Sequence, residues 1–374
     1  MKSYKDLFKK AISDECMDEA FRVAIKRKRK RPEVLKIINN YDECKKRLRE
    51  YLLKGEYTPF VHKAREINDG FKLKKRIIIQ PYFTMSKPEQ WIQHIAVQVL
   101  KPIFMKGMYE FSCGSVPNRG VHYGKKYIEK YIAENPKKIR YVLKADIHHF
   151  YENVNTDLIK EKLRKYIKDD EFLKLAYFIL DSNSGVLPSG ELYRPGLPIG
   201  FYTSQWFANW FLQPFDHFIK EKLGAEFYIR YMDDIVIFGS NKRKLHKMLI
   251  EIEKFLNSMD LKLKHNYQIF QFDYIGKDGK RHGRFIDFMG FKFYRDKTTI
   301  RKSVFIRACR LAVRLRKKLK ISWYDACRML SYMGWFLPTD TYGAYKKYID
   351  SNISRRGLIK LVSSHDKKGL KKAA

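Results

Sequence analysis

The stretch FYIRYMDDIVIF, Phe227 to Phe238, sets two β-prone apolar arms on either side of a polar Asp233-Asp234 centre. That pattern predicts strand, tight turn, strand. Adjacent carboxylates at a hairpin tip repel each other unless cations neutralise them. An oxygen-rich site for Mg²⁺ resolves the repulsion, because Mg²⁺ takes one or two carboxylates together with substrate phosphates. A second β-prone run lies upstream, YVLKADI from Tyr141 to Ile147, with the carboxylate Asp146 near its end. If the two strands are neighbours, Asp146 and Asp233 hold two metals about 3.5 to 4 Å apart, the spacing of in-line phosphoryl transfer. An Asp-Asp pair standing alone is more often only a hairpin turn, so the rest of the chain decides between the readings.

Outward from this hairpin, patterned and turn-rich stretches alternate. Leu187 to Gly200 is crowded with Pro188, Gly190, Pro195, Gly196, Pro198 and Gly200, and a long aromatic helix is predicted from about Thr203. Asn155 to Ile167 has an Asn/Thr helix start. Phe111 to Gly124, with Gly114, Pro117, Asn118, Gly120 and Gly124, reads as a loop held in a specific shape. Pro88 to Phe104 has helical apolar spacing, and Lys74 to Gln80 (KKRIIIQ) is a strand closed by Pro81. Residues 1 to about 70 read as helical and strongly charged; their basic run, Lys26 to Arg31, is either a solvated helix end or a nucleic-acid contact. Beyond residue 300, Arg307, Arg310, Arg314 and Lys317 recur on one side of a helix, with Ala308, Leu311, Leu315 and Leu319 on the other. One face can pack while the other meets phosphates or solvent.

The chain has 374 residues, and its 45% hydrophobic and 15% aromatic content exclude a disordered polypeptide. Its net charge of +36 is spread along the whole length and repels itself unless a polyanion neutralises it. No stretch approaches the roughly 18 uninterrupted apolar residues of a spanning helix, and the start, MKSYKDLFKKAISDECM, has no apolar signal core. A soluble, cytoplasmic protein that meets a phosphate backbone and no membrane is the expectation. Cys16, Cys44, Cys113, Cys309 and Cys327 are odd in number and never in C-x-x-C spacing, which favours buried free thiols over disulfides or structural zinc.

Tyr231-Met232-Asp233-Asp234, the upstream YVLKADIHHFYENV and the intervening LPIGFYTSQ occur in the order found in reverse transcriptases, and the chain resembles that family from about Lys74 to about Ile349. RIIIQP and FSCGSVPNRGVHYG resemble its two finger motifs, Asp146 to Val154 its motif A, Leu197 to Gln205 its motif B, FIDFMGFKFY its primer grip and SYMGWFLPTDTYGAYKKYI the thumb of its bacterial members. The resemblance implies an α+β right-hand polymerase fold. Residues 1–135 would form an N-terminal extension and fingers, and 136–295 the palm, with finger insertions and an antiparallel sheet carrying the Tyr-Met-Asp-Asp hairpin. Residues 296–350 would form a helical thumb and 351–374 a basic C-terminal tail.

The same resemblance implies an RNA-directed DNA polymerase in which Asp146, Asp233 and Asp234 are catalytic. They and the Ile147 carbonyl would hold two Mg²⁺ ions, with Mn²⁺ as a substitute; one ion lowers the pKa of the attacking 3′-hydroxyl and the other stabilises pyrophosphate. Tyr151 stands where the family places an aromatic gate against the ribose 2′-hydroxyl, a core aromatic being the alternative. Lys74 and Arg76 share one face of the finger strand and are candidates for the incoming triphosphate, or else mark a solvated strand end. Gly200 and Gln205 fall in the nucleotide site, Met289 and Gly290 in the primer grip, and Arg307, Arg310, Arg314 and Lys317 on a nucleic-acid-binding helix. After Leu261-Lys262-Leu263 the proton donor to pyrophosphate is Lys264, His265 or solvent.

Where many bacterial relatives read LPQG followed by Ser-Pro, this chain has Leu197-Pro198-Ile199-Gly200 and then Ser204-Gln205. That variant resembles the signature of diversity-generating retroelement enzymes, which copy a template RNA into cDNA with errors concentrated opposite adenine for mutagenic retrohoming. Ile199 cannot supply the amide hydrogen bonds of a Gln, and Gln205 places an amide further on, so both are candidate fidelity and template residues. The implied partners are template RNA, primer or cDNA, deoxynucleoside triphosphates, a structured retroelement RNA and a small oligomeric accessory variability protein, in a bacterial or phage-encoded system. The alternatives are a retron-like, phage-defence or group II intron-derived reverse transcriptase, and a non-catalytic RNA-binding scaffold.

Overall fold

The computed structural model describes residues 3–69 and 74–371, without the side chains of Asp69, Lys74 and residues 366–371. It is a mixed α+β chain that divides into two units, one of Met1–Gly120, Leu143–Ile237 and Arg243–Gln268, the other of Val121–Val142, Phe238–Lys242 and Ile269–Ala374. The strands are β1 (Val61–Asp69), β2 (Lys74–Ile79), β3 (Tyr141–Asp146), β4 (Ser184–Val186), β5 (Leu192–Tyr193), β6 (Phe227–Tyr231), β7 (Asp234–Gly239), β8 (Gln268–Gln271), β9 (Tyr274–Ile275), β10 (Arg281–His282), β11 (Ile286–Phe288), β12 (Phe291–Phe293) and β13 (Thr298–Ile300).

In the first unit the central helix Glu89–Met105 is buried around most of its girth, polar Glu89, Gln93 and His94 included. His94 Nδ1 is buried without a hydrogen-bond partner among the described residues, whereas Glu89 is paired within the core, accepting from His62 Nε2 at 2.6 Å and from the Tyr82 amide at 2.9 Å. Such pairing offsets the desolvation of a buried carboxylate. The helix Asp14–Ala24, capped by Ser13, lies along it, with Trp91 Nε1 donating to the Met17 carbonyl at 2.8 Å. The mixed sheet β2-β1-β4-β5 carries an antiparallel β1-β2 pair in which Ala64 faces Ile79, and a parallel β1-β4 pair. Strands β6, β7 and β3 are neighbours in that order, so the adjacency on which the two-carboxylate reading depends is present.

Several local expectations need correction. The charged helical region ends at Lys54, and Val61–Asp69 is strand. Among the described side chains of β1 only His62 and Ala64 are buried, which leaves no apolar alternation to show, and the Ile-rich β2 supplies the other side of the pairing. The basic run Lys26–Arg31 follows directly on the end of the helix Asp14–Ala24 and is mostly exposed; the Lys28 and Arg31 amides close successive turns on Ile25 and Lys28, around a left-handed Arg27. The turn-rich stretch ends at Gly120, and Gly124 lies in the helix Val121–Glu134. The aromatic helix spans Tyr202–Phe211, as its start predicts to within a residue. The helix Thr156–Tyr166 is capped by Asn155, whose side chain accepts from the Asp157 amide at 2.9 Å.

In the second unit β11, β12 and β13 form an antiparallel meander and β9-β10 a separate hairpin. The helix Lys302–Arg316 buries Ala308, Leu311, Ala312 and Leu315, whereas Leu319 lies beyond the helix end and is fully exposed. Helices Trp323–Phe336 and Arg355–Lys371 follow, so the C-terminal basic segment is largely helical. Cys16, Cys44 and Cys113 are buried free thiols, while Cys309 and Cys327 are partly exposed. Among the described residues no helix is long and apolar enough to cross a membrane.

Candidate active site

The β6-β7 hairpin turns through Met232 and Asp233, with Met232 in the left-handed region at φ 55° and buried. Strand β3 ends beside this turn: the Ile147 amide donates to the Asp233 carbonyl at 3.3 Å. The carboxyl groups of Asp146 and Asp233 lie within electrostatic reach of each other. Burial first, then the negative charges of Asp146 and Asp234, push the Asp233 carboxyl up to about 7. On Asp146 the ammonium of Lys264 bonds Oδ2, and the Lys264 amide donates to the Asp146 carbonyl at 2.9 Å.

Tyr151 stands over the same place. Burial raises its hydroxyl above the ordinary phenol range, with the Asp233 charge next in weight and Arg76 acting in the opposite sense. Tyr151, Asp233 and Arg76 therefore lie within electrostatic reach of one another. Arg76 is exposed on β2; the side chain of Lys74 lies outside the described residues. The turn-rich segment before the aromatic helix is tied to the Tyr151 segment by backbone bonds, Leu197 amide to Tyr151 carbonyl at 2.8 Å and Gly196 amide to Glu152 carbonyl at 2.9 Å.

Gly200 adopts φ +122°, and a Cβ there would lie 2.3 Å from the Ile79 carbonyl oxygen, so only glycine lets the loop close on β2. The neighbouring Ile199 carbonyl accepts from the Ile79 amide at 3.0 Å. In the helix that follows, Gln205 is exposed on an otherwise largely buried element. Met289, Gly290, Arg307, Arg310, Arg314 and Lys317 belong to the second unit. Met289 and Gly290 form the β11-β12 turn, both with positive φ, and Arg310, Arg314 and Lys317 are exposed. Arg314 lies 3.7 Å from the Asp325 carboxylate.

Among the described residues no group of three or more His, Cys, Asp or Glu side chains is arranged to hold a metal ion. The pair Asp146 and Asp233 is nevertheless a fit for a hard divalent cation. Burial and then the neighbouring charges of Asp146 and Asp234 disfavour the ionised Asp233, a cost that a bound cation would relieve. Reading the sequence alone missed two groups. Lys264 was one of three proton-donor candidates but not a carboxylate partner, because a contact between β3 and a residue so distant in the chain has no periodic signature. Arg230, wholly buried and paired with wholly buried Asp216 at 2.6 Å, was passed over as a strand residue. Its charge inside an apolar arm was the signal available, since an unpaired buried guanidinium is too costly to persist.

A mixed α+β architecture with strand-end carboxylates in a strongly basic chain is of the reverse-transcriptase-like type. More specifically, residues 78–293, over half the chain, match the family model described as "Reverse transcriptase (RNA-dependent DNA polymerase)", and the chain belongs to that family. It is 24% identical over 176 residues to "Protein YkfC" of Escherichia coli (strain K12), covering 47% of this chain and 45% of that protein. Among solved structures it is similar to apo telomerase from Candida Tropicalis truncated from the C-terminal domain, at 14% identity and TM-score 0.47, covering 70% of this chain and 60% of that one. It is also similar to telomerase from Candida albicans in complex with the TWJ fragment of telomeric RNA, at 12% identity and TM-score 0.46, covering 83% and 58%. The chain thus spans less than half of the curated relative and about three fifths of these telomerase chains.

Proposed function

We propose that this protein is an RNA-directed DNA polymerase that copies a template RNA into cDNA, and that it is of the diversity-generating type. The observation that carries the reading is the end of β3 lying beside the β6-β7 turn, with the Ile147 amide on the Asp233 carbonyl at 3.3 Å, so that Asp146 and Asp233 come to one place. Asp146 and Asp233, with Asp234 and the Ile147 carbonyl, are the proposed metal ligands. Mg²⁺ bound there supplies positive charge that favours the 3′-alkoxide and offsets charge on the departing pyrophosphate.

The chain's own groups do the rest. The half-buried ring of Tyr151 excludes a ribose 2′-hydroxyl by sterics and selects deoxynucleotides. Arg76, exposed on β2 within reach of Tyr151, offers a planar fork to triphosphate oxygens. Lys264, held at Asp146, is the best placed of the proton-donor candidates, and it stabilises the carboxylate pair by its charge. On this reading β1 and β2 belong to fingers, β3, β6 and β7 to a palm, and the helices from Lys302 onward to a thumb. The exposed, unpacked Gln205 and the apolar Ile199 support a loosened hold on the template base. The basic charge supports RNA, primer or cDNA as partners. A structured retroelement RNA and an oligomeric accessory protein complete the proposal.

The test is primer extension on a defined RNA template with Mg²⁺ and deoxynucleotides, with and without candidate retroelement RNA and accessory protein, followed by cDNA sequencing. Errors concentrated opposite adenine are the expected result. Accurate cDNA would move the enzyme to the retron, defence or intron reading, and tight RNA binding without any cDNA would favour a scaffold.

A further inference from the structure

We propose that Arg230, clamped on Asp216, and Asn209 are positioning residues for Asp233, gripping the turn at Met232 and joining it to the helix that carries Gln205. This deepens the polymerase reading and rests on it. The guanidinium of Arg230 is fully buried, and two of its arms are spent on Asp216, Nε to Oδ1 at 2.7 Å and Nη2 to Oδ2 at 2.6 Å. Tyr228 Oη adds a third bond to Asp216 Oδ1 at 2.7 Å. The remaining arm, Nη1, donates to the Met232 carbonyl at 2.9 Å and to Asn209 Oδ1 at 3.2 Å.

For packing alone a pair of apolar side chains would serve as well or better than a buried ion pair. What an apolar pair lacks is the N–H aimed at the Met232 carbonyl, immediately before Asp233. Met232 is gripped on its other sides too. Asn209 Nδ2 reaches the Met232 thioether at 3.7 Å and the Gly114 carbonyl at 2.8 Å. At Gly114 a Cβ would come within 2.8 Å of the Met232 amide nitrogen, so the loop presses directly on the turn. The same Asn209 amide donates to the Gln205 carbonyl at 3.1 Å, one helical turn earlier. A residue held in the left-handed region persists only where its surroundings over-determine it, and these contacts do so. The turn that presents Asp233 and the backbone that presents Gln205 consequently share one amide.

The test compares wild type with Arg230→Met/Asp216→Leu, which removes the buried charges together, and with Asn209→Leu. Readouts are melting temperature, kcat and KM for deoxynucleotide, cDNA error distribution, and Mn²⁺ binding followed by electron paramagnetic resonance. The double variant should melt somewhat below wild type, because the buried Tyr228 hydroxyl loses its acceptor, with KM little changed, while kcat falls about 100-fold, the scale of a misplacement near 1 Å, and Mn²⁺ affinity weakens about tenfold. Asn209→Leu should alter the distribution of errors over template bases. A double variant that keeps wild-type kcat and Mn²⁺ affinity, whatever its melting temperature, would overturn the proposal, leaving the pair a packing device. An unaltered error distribution in Asn209→Leu would overturn the coupling to Gln205. Absence of cDNA from wild type would count against the polymerase reading, and the Mn²⁺ measurement would still decide the positioning role.

Discussion

Two hairpin tips use the same backbone device under different loads. Met232 between β6 and β7 and Met289 between β11 and β12 are both methionines in the left-handed region, at φ 55° and 50°, and both are buried. Methionine has no intrinsic liking for that region, so each turn is held by what surrounds it. At Met232 the next residue is Asp233, and the supports are polar: Arg230, Asn209 and the Gly114 backbone. At Met289 the next residue is Gly290, at φ +88°, whose Cβ position falls 2.7 Å from the ring of Trp335, and the support is an indole face. The first tip is shaped to carry a charge, the second to let an aromatic ring lie against bare backbone.

The comparison can be broken most sharply at the charged tip. Asp233→Asn should reduce cDNA synthesis by on the order of 10³-fold while RNA affinity stays within about twofold, because the change removes charge without disturbing the basic surface. Retained synthesis would sink the ligand assignment. At the second tip Gly290→Val should cost about 2–3 kcal/mol through a positive φ and a ring clash, read as a lower thermal midpoint. An unaltered midpoint would show that Trp335 yields freely.

A pH series sharpens the contrast further. The folded-state pKa of Asp233 is raised from 3.8 to about 7, so its protonated form is favoured by folding and ionisation is disfavoured. The contribution is fully present below the unfolded value and is lost as pH rises through the folded one. Melting temperature in chelator should therefore fall between about pH 4 and pH 7, Asp233→Asn should flatten that slope, and Mg²⁺ should oppose it. A slope unaffected by Asp233→Asn would contradict the charge crowding. The smallest effect is expected on the helix Lys302–Arg316: Arg310→Gln on its exposed face should lower RNA affinity a few-fold and reduce the salt slope by about 1. An unchanged slope would make that face merely solvated.

How much could be read in advance follows the physics of each signal. The Phe227–Phe238 hairpin, the Pro88–Phe104 helix and the Asn155 cap were legible because period, turn chemistry and capping are local. The strand Val61–Asp69 was not, since its described buried residues are one histidine and one alanine, and its pairing with β2 has no local signature. Asp146 and Asp233 were legible as carboxylates at strand ends, and their nearness followed once β3 and β7 proved adjacent. Asp216, Asn209 and Lys264 carried no such mark. Each lies in a helix or loop with an ordinary polar identity, and only the tertiary fold brings it to the turn.

The helix Tyr202–Phe211 buries eight of its ten residues, leaving Tyr202 and Gln205 outside. A side chain in that situation can be exchanged without repacking anything beneath it. Selection can thus vary Gln205 while the folding free energy stands still, and under the template role proposed for it an engineer saturating this single codon would sample fidelity with almost no loss of foldable protein.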